Sequence, residues 1–314
     1  MALDLHTIQR PPTLFLLLVI GLLLSAPVAA QDLEPRRWTH LPVGMNTFAI
    51  GYAGKGADIY FNPMIGITDG TANLNAWVAR YSYAFNWAGK TARLDGMLPY
   101  VSGTWEGLQD GEQAKRNKRA VGDPWLRLSV NFYGSPALAG KEYETFLVEN
   151  PVRTTVGASL AVAFPLGGYD SEELINVGRN RYIVRPQVGV LHMRGPWSAE
   201  LTGSVYMFTD NDDFVDAVTL SQEPIFAIQG HLTRNFRSGF WLGAGMAYAN
   251  GGKVDLDKER TSYKIDNVLW NLLAGYRINR QQSVMLAWQQ GRTQVDVGTD
   301  YDGWLLSWAF AWGH

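Results

Sequence analysis

The last segment of the chain alternates bulky apolar residues with smaller or more polar ones, and this period of two constrains the fold more than any other feature. The bulky residues, which fall at every second position, are Trp304, Leu306, Trp308, Phe310 and Trp312. Successive side chains of a strand point to opposite faces, whereas a helix would scatter these five residues around its axis. The segment is therefore predicted to be a strand with one strongly apolar face.

The same alternation recurs along most of the chain. Between Trp77 and Trp87, for example, aromatic residues alternate with residues such as Arg80 and Ser82. The pattern predicts about 12 strands, at residues 41–53, 73–87, 90–105, 121–133, 152–164, 180–192, 197–208, 223–235, 239–250, 262–277, 282–290 and 302–312. An even number is expected of a single-chain bacterial membrane barrel.

The N-terminal residues have the features of a secretory signal. Arg10 precedes an apolar run from Leu14 to Leu24, and small residues from Ser25 to Ala30 suit cleavage. The run is shorter than the roughly 20 apolar residues that a membrane-spanning helix needs. We therefore predict a signal peptide at residues 1–30 and one mature domain at residues 31–314.

Composition excludes several classes of protein. The chain has no cysteine, which rules out a lipid anchor on an N-terminal Cys, a disulfide framework and thiolate metal sites. Its net charge of -2 gives no basic field for nucleic acid. Zinc, phosphate-loop and dinucleotide fingerprints are also absent from the sequence. We expect no cofactor, no metal and no nucleic-acid partner.

Three features of the sequence favour a membrane barrel: the export signal, the richness in aromatic residues and the lack of an apolar stretch long enough for a membrane-spanning helix. The sequence contains 12 Trp, 14 Tyr and 13 Phe. In lipid every backbone N–H and C=O must be paired within the protein, which leaves helices or closed sheets. The predicted fold is an all-β, transmembrane antiparallel barrel in the Gram-negative outer membrane, with lipid and the barrel insertion machinery as partners. Rings near predicted strand ends are interpreted as headgroup anchors, among them Trp87, Trp197, Trp241, Tyr248 and Trp312.

The connections alternate between tight turns and long polar loops, as expected of short periplasmic turns and longer outer loops. The predicted outer loops are Asp110 to Lys118, Gly167 to Arg179, Asp210 to Thr219 and Gly251 to Arg260. A long periplasmic segment, Gly134 to Asn150, is predicted to hold a short helix around Ala139 to Phe146. Pro99 and Pro186 fall inside predicted strands and should mark bulges or kinks, because proline cannot donate to a ladder.

Polar residues on the inward face of the predicted strands are candidates for lining the lumen. They are Arg80, Arg93, Asp95, Arg127, Arg185, Gln187, Glu200, Gln229 and His231. One hypothesis is a constriction that favours anionic or aromatic solutes, since arginine pairs with carboxylates and stacks on rings. The alternative is a salt-bridge network that fills the interior, because an unpaired charge at low dielectric is costly.

Three segments carry a family resemblance. They read PVGMNTFAIGY (42–52), LDGMLPYVSGTWEG (94–107) and VGDPWLRLSVNFYGSPAL (121–138). They resemble the family named for phenol degradation by the meta pathway, which comprises transporter-like outer-membrane barrels often encoded near genes of aromatic catabolism. The resemblance implies a role in the uptake of hydrophobic or aromatic compounds and carries over no catalytic residue.

The function that we expect is therefore passive passage of small, aromatic or hydrophobic compounds. One alternative is a structural or adhesive barrel, for which the acidic loop Asp210 to Asp216 is the candidate contact. A third, a lipid-modifying enzyme, would have to use His192 or His231, and the sequence has no G-x-S-x-G nucleophile motif. We expect no enzymatic activity.

Overall fold

The structure is a computed structural model that describes residues 33–61, 67–109, 111–214, 218–257, 259–260 and 264–313. The predicted signal peptide at residues 1–30 lies outside the described residues. No helix in the described part is long and apolar enough to cross a bilayer.

The described elements are almost all strands. The first eight, in chain order with one helix, are β1 (Asn46–Tyr60), β2 (Ile67–Trp87), β3 (Lys90–Gln109), β4 (Glu112–Val121), β5 (Trp125–Pro136), α1 (Gly140–Glu149), β6 (Val152–Ala163), β7 (Ile183–Arg194) and β8 (Trp197–Phe208). The remainder are β9 (Asn211–Phe214), β10 (Val218–Gln222), β11 (Ile225–Asn235), β12 (Phe240–Gly251), β13 (Val254–Leu256), β14 (Glu259–Arg260), β15 (Ile265–Arg277), β16 (Gln282–Thr293) and β17 (Gly298–Trp312).

The main sheet closes on itself because the first strand pairs with the last. β1 is antiparallel both to β2 and to β17, with Phe48 opposite Tyr81 on one side and Phe310 on the other. The order around the barrel is β1, β2, β3, β5, β6, β7, β8, β11, β12, β15, β16 and β17. This confirms the predicted antiparallel barrel of 12 strands.

β4 shares one position in the barrel with β5. β5 pairs with the first half of β3, up to Met97 opposite Trp125, and β4 pairs with the second half, from Tyr100 opposite Val121. The prediction of a loop from Asp110 to Lys118 is therefore wrong, because Glu112–Val121 is a strand. Most of β4 is exposed. A strand with water on both faces needs no apolar alternation, so the pattern that revealed the other strands is missing here.

The start of the first strand was also predicted wrongly. The predicted range began at residue 41, but β1 begins at Asn46. Residues 33–45, called here the N-terminal segment, precede the sheet and form no strand.

Both prolines inside strands lie where a ladder is interrupted, but the predicted bulges are not found, because the register is unchanged across Pro99 in the pairing of β3 with β2 and across Pro186 in the pairing of β7 with β8. Leu98 and Pro99 lie between the β5 and β4 pairings, and the backbone N–H of Gly122 donates to the Pro99 carbonyl at 2.9 Å. On β7, Arg185 and Pro186 are skipped in the pairing with β8. A missing donor on one edge accounts for each gap.

The outer face of the barrel is apolar. Side chains on this face that are more than half exposed include Trp77, Met246, Trp270, Leu272 and Leu306. Such a continuous apolar surface would be unfavourable in water and fits the hydrocarbon layer of the outer membrane. Trp241 is not part of this face, because Arg36 stacks on its ring at 4.0 Å inside the barrel. Its interpretation as a headgroup anchor is wrong.

The two ends of the barrel differ. On the side of the tight turns, α1 (Gly140–Glu149) lies between β5 and β6, where a short helix was predicted. On the opposite side β9, β10, β13 and β14 form a separate small sheet with its own apolar core. That sheet extends the loops that were predicted to face outward.

Candidate functional site

The N-terminal segment lies inside the barrel, where a tryptophan fixes it to the wall. Trp38 is fully buried, and its Nε1 donates a 2.7 Å hydrogen bond to Oγ1 of Thr202. The indole packs on the backbone at Gly157 and Gly189, where an added Cβ would overlap it. These glycines let the ring approach the strands closely.

An acidic residue of the segment is held by arginines of the wall. Oε1 of Glu34 accepts a hydrogen bond from Nη1 of Arg185 at 3.1 Å, and Oε2 accepts one from Nη1 of Arg127. Burial alone would raise the pKa of the Glu34 carboxyl, but the charges of Arg127 and Arg185 outweigh this and lower the pKa to about 2. Glu34 is therefore anionic in the lumen.

A second anionic centre forms around Asp95. Its carboxylate contacts Nε of Arg93 at 3.0 Å, Nε of Arg127 at 3.3 Å and Nη1 of Arg37 at 3.3 Å. The backbone N–H of Arg37 donates to Oε1 of Glu200 at 3.0 Å. The N-terminal segment and the strands thus share one network of paired charges.

Four predicted lumen residues, Arg93, Asp95, Arg127 and Arg185, meet in this network, and Glu200 joins it through the backbone of the segment. Three others lie on the same wall. Oε1 of Gln187 accepts from Ser159 at 3.0 Å, and Oε1 of Gln229 accepts from the N–H of Glu34 at 3.4 Å. His231 is buried against Gly245, and neither of its ring nitrogens has a hydrogen-bond partner among the described residues.

Arg80 differs from the other predicted arginines. It is exposed within the lumen and makes no ion pair or hydrogen bond with the described residues. Its guanidinium lies 6.0 Å from the centre of the Trp125 ring, which Arg127 also faces at 4.6 Å. Arg80 adds to the positive potential at Glu34 without contacting it.

The periplasmic end of the N-terminal segment is tied to α1. Nε2 of His40 lies 2.8 Å from the carbonyl of Pro136, and the hydroxyl of Tyr143 donates to the His40 carbonyl at 2.8 Å. The imidazole also makes edge contacts with the rings of Tyr143 and Phe146. Burial lowers the pKa of His40, so the ring is neutral at pH 7.

The outer end of the segment reaches an apolar cluster. Leu33 packs among lumen-facing residues that include Ile59, Leu74, Trp105 and Leu269, and Ile175 from loop 164–182 packs against the same cluster. The segment and the loop therefore narrow the lumen from opposite ends.

Asp123 holds that loop at the barrel mouth. Its two carboxylate oxygens accept 2.9 Å hydrogen bonds from the backbone N–H groups of Gly167 and Arg179. Burial raises the pKa of Asp123 despite these bonds. This aspartate belongs to the Gly-Asp-Pro sequence at residues 122–124, which marks the break between β4 and β5.

Two cavities lined by described residues lie in the lumen beside the N-terminal segment. The first, of about 690 Å³, lies toward the periplasmic turns, and the second, of about 470 Å³, reaches the outer loop at Asn176 and Val177. Residues that line both are Arg36, Ala49, Val78, Arg80, Met285 and Leu305. The two cavities are therefore adjacent, and Arg36 and Arg80 lie where they meet.

Sequence reasoning missed the residues of the N-terminal segment that organise this site. Glu34, Arg36, Arg37, Trp38 and His40 lie before the first strand and follow no alternation. The available signal was a dense run of charged and aromatic residues, EPRRWTH (34–40), separated by three residues from the end of the predicted signal peptide. Among the described residues no cluster of His, Asp and Glu could hold a metal ion.

Known structures share this architecture. The outer membrane channel COG4313 from Pseudomonas putida F1 aligns with a TM-score of 0.75 at 18% identity, over 90% of this chain and 100% of that one. The transport unit of the autotransporter AIDA-I from Escherichia coli aligns with a TM-score of 0.54 at 10% identity, over 96% of this chain and 99% of that one. Both similarities concern the fold. No curated protein matches the sequence.

The sequence also matches a family model. The match covers residues 20–306, which includes the barrel up to the middle of β17, and the family is described as "Putative MetA-pathway of phenol degradation". It spans the three segments that carried the resemblance in the sequence. The chain therefore belongs to this family of outer-membrane barrels.

Proposed function

We propose that the barrel provides a passive route across the outer membrane for small molecules. The observation that carries this proposal is the pair of adjacent lumen cavities, which extend from the periplasmic turns to the outer loop. Solutes would move between the N-terminal segment and the wall formed by β1, β2, β16 and β17. Transport of this kind needs no cofactor.

The position of the N-terminal segment supports the route. Most of its polar contacts are with Asp95, Arg127, Arg185, Glu200 and Thr202 on β3, β5, β7 and β8, and Arg36 also reaches Asn235 and Trp241 on β11 and β12. Between these contacts and the apolar cluster at Leu33, the wall of β1, β2, β16 and β17 lines the cavities. The segment therefore narrows the lumen to one side, and solutes could pass without its complete removal.

The chemistry of the wall favours compounds with an apolar body. The lining shared by the two cavities includes Ala49, Val78, Met285 and Leu305, together with Arg36 and Arg80. The family is named for phenol degradation, and a similar structure is described as an outer membrane channel. The family name supports small aromatic or hydrophobic compounds as solutes, and the similar structure supports passage through the barrel. We propose no catalysis: His231 makes no hydrogen bond to a described hydroxyl, and His192, whose Nδ1 lies 2.9 Å from Oγ1 of Thr154, is on the exposed outer face.

Narrowing the route tests the proposal. Ala49→Trp places a large side chain where the cavities meet, so single-channel conductance in a planar bilayer should fall by at least about half. Ala79→Trp is the matched control, because Ala79 neighbours Arg80 on β2 but lies on the face of Trp77 and Tyr81, toward lipid. Its conductance should equal that of the wild type. Silent wild-type protein, or equal conductance in the two variants, would refute the route.

A further inference from the structure

Among the described residues of the lumen network, arginines outnumber carboxylates. The paired network contains four arginines, Arg37, Arg93, Arg127 and Arg185, around the three carboxylates of Glu34, Asp95 and Glu200. Arg80 is a fifth arginine at the edge of this network and has no ion pair with the described residues. A bound anion at Arg80 would therefore lower an existing positive excess without breaking any pair.

The position of Arg80 makes it reachable from both sides. It lines both cavities, so a solute that enters from either end meets the same guanidinium. A guanidinium binds a carboxylate through two parallel N–H···O bonds, and such charge-assisted bonds are strong where water is partly excluded.

The larger cavity next to Arg80 is suited to an apolar group. It contacts Val78, Met285, Leu305 and Ala309, and its volume of about 690 Å³ lies within the range of small-molecule sites, roughly 300–1,000 Å³. A charged head at Arg80 and an apolar body in this cavity would be bound together.

From this geometry we propose that Arg80 is the anion-binding residue of a subsite for small amphipathic monocarboxylates. The inference rests on the proposed route and names the solute class that the route binds. The carboxylate lies at Arg80, near the face of Trp125, and the apolar body lies along the wall of β1, β2, β16 and β17.

Three probe compounds separate the contributions of the carboxylate charge and of the apolar body to binding. Benzoate has both, benzyl alcohol has the ring without the charge, and acetate has the charge without the ring. Calorimetric titration of the full-length, refolded protein in detergent should show binding of benzoate, with benzyl alcohol and acetate each weaker by about tenfold or more. Equal binding of acetate and benzoate, or of benzyl alcohol and benzoate, would overturn the proposal.

Variants locate the site. Arg80→Gln should weaken benzoate binding by about tenfold or more. Arg80→Lys keeps the positive charge but loses the two parallel N–H donors of the guanidinium, so its benzoate affinity should lie between that of Arg80→Gln and that of the wild type. Arg194→Gln removes the same charge from an exposed periplasmic turn and should bind benzoate as the wild type does. Unchanged benzoate affinity in Arg80→Gln would place the site elsewhere.

Channel recordings keep this inference distinct from the route itself. If Arg80→Gln and the wild type conduct equally and benzoate blocks neither, the subsite is refuted and the route stands. If the wild type does not conduct at all, the route is refuted. Should Arg80→Gln fail to fold, the three probes on wild-type protein and the Arg80→Lys variant still decide the matter.

Discussion

Nε1 of Trp38 donates a 2.7 Å hydrogen bond to Oγ1 of Thr202, in the interior of the barrel. The bond joins a residue that precedes the sheet to a strand more than 160 residues later. Together with the ion pairs of Glu34 and Arg37, it fixes the position of the N-terminal segment in the lumen. The width of the proposed route depends on this arrangement.

Displacing the indole should release the segment. In Gly157→Ala the new Cβ would overlap the Trp38 ring and lie 2.7 Å from Oδ1 of Asn131. Overpacking of this kind costs about 1–3 kcal/mol. Trypsin should then cleave after Arg36 and Arg37 faster than in the wild type. Gly203→Ala is the control, since its Cβ would meet nothing within 4 Å; equal cleavage rates in the two variants would contradict the expectation.

Acid should loosen the segment within a defined pH window. The pKa of Glu34 is about 2 in the folded protein, below its ordinary value of 4.5. A lowered pKa means that the anionic carboxylate stabilises the inserted segment above pH 4.5, and that this contribution is lost as the pH falls through 2. Conductance should therefore rise between pH 4.5 and pH 2 as the segment leaves Arg127 and Arg185.

The variant Glu34→Gln tests the origin of that effect. Without the carboxylate the two arginines lose their partner, so the conductance at neutral pH should already exceed that of the wild type, and the acid step should shrink. Glu144→Gln, an exposed position on α1, should retain the wild-type profile. An acid step of the same size in Glu34→Gln would assign the effect to another group.

Asp123 should control the order of the outer loop. Asp123→Asn keeps one accepting oxygen, but the amide nitrogen that replaces the other cannot accept the N–H of Arg179. Loss of this bond leaves a partly buried donor unsatisfied, at a cost of about 1–3 kcal/mol. Hydrogen exchange in loop 164–182 should accelerate. The exposed Asp212→Asn serves as the control, and equal exchange in both variants would argue against this role.

Because the outer face is apolar, the loss of stability caused by a charged substitution on it should depend on how deep the position lies in the bilayer. Leu272 lies in the middle of β15 and is 59% exposed, while Tyr276 lies near the periplasmic turn. Leu272→Arg should destabilise the barrel in lipid vesicles by about 2–4 kcal/mol and Tyr276→Arg by about 0–1 kcal/mol, because charge is most costly at the bilayer midplane. Denaturant titrations of the refolded variants provide the measurement. Equal losses would indicate that these positions do not face lipid at different depths.

Alternation predicted the strand number and, together with the export signal and the aromatic content, the barrel; the short helix after β5 was predicted in a long segment where the alternation stops. Alternation failed at residues 112–121, where β4 is exposed to water, and at residues 41–45, which precede β1. Pro99 and Pro186 were correctly placed at ladder interruptions because the missing N–H is a local property of proline. The face of a strand on which a residue lies and the missing N–H of a proline can thus be interpreted from the sequence one residue at a time.

The interior could not be predicted in the same way. The sequence determined that Arg80, Arg127 and Arg185 face inward, because the side of a strand is set by parity. Only the tertiary structure decided that Glu34 pairs with two of these arginines and that Arg80 has no ion pair with the described residues. The contacts of Glu34 with Arg127 and Arg185 join residues that are more than 90 positions apart, and they depend on strand register and on how the N-terminal segment enters the lumen.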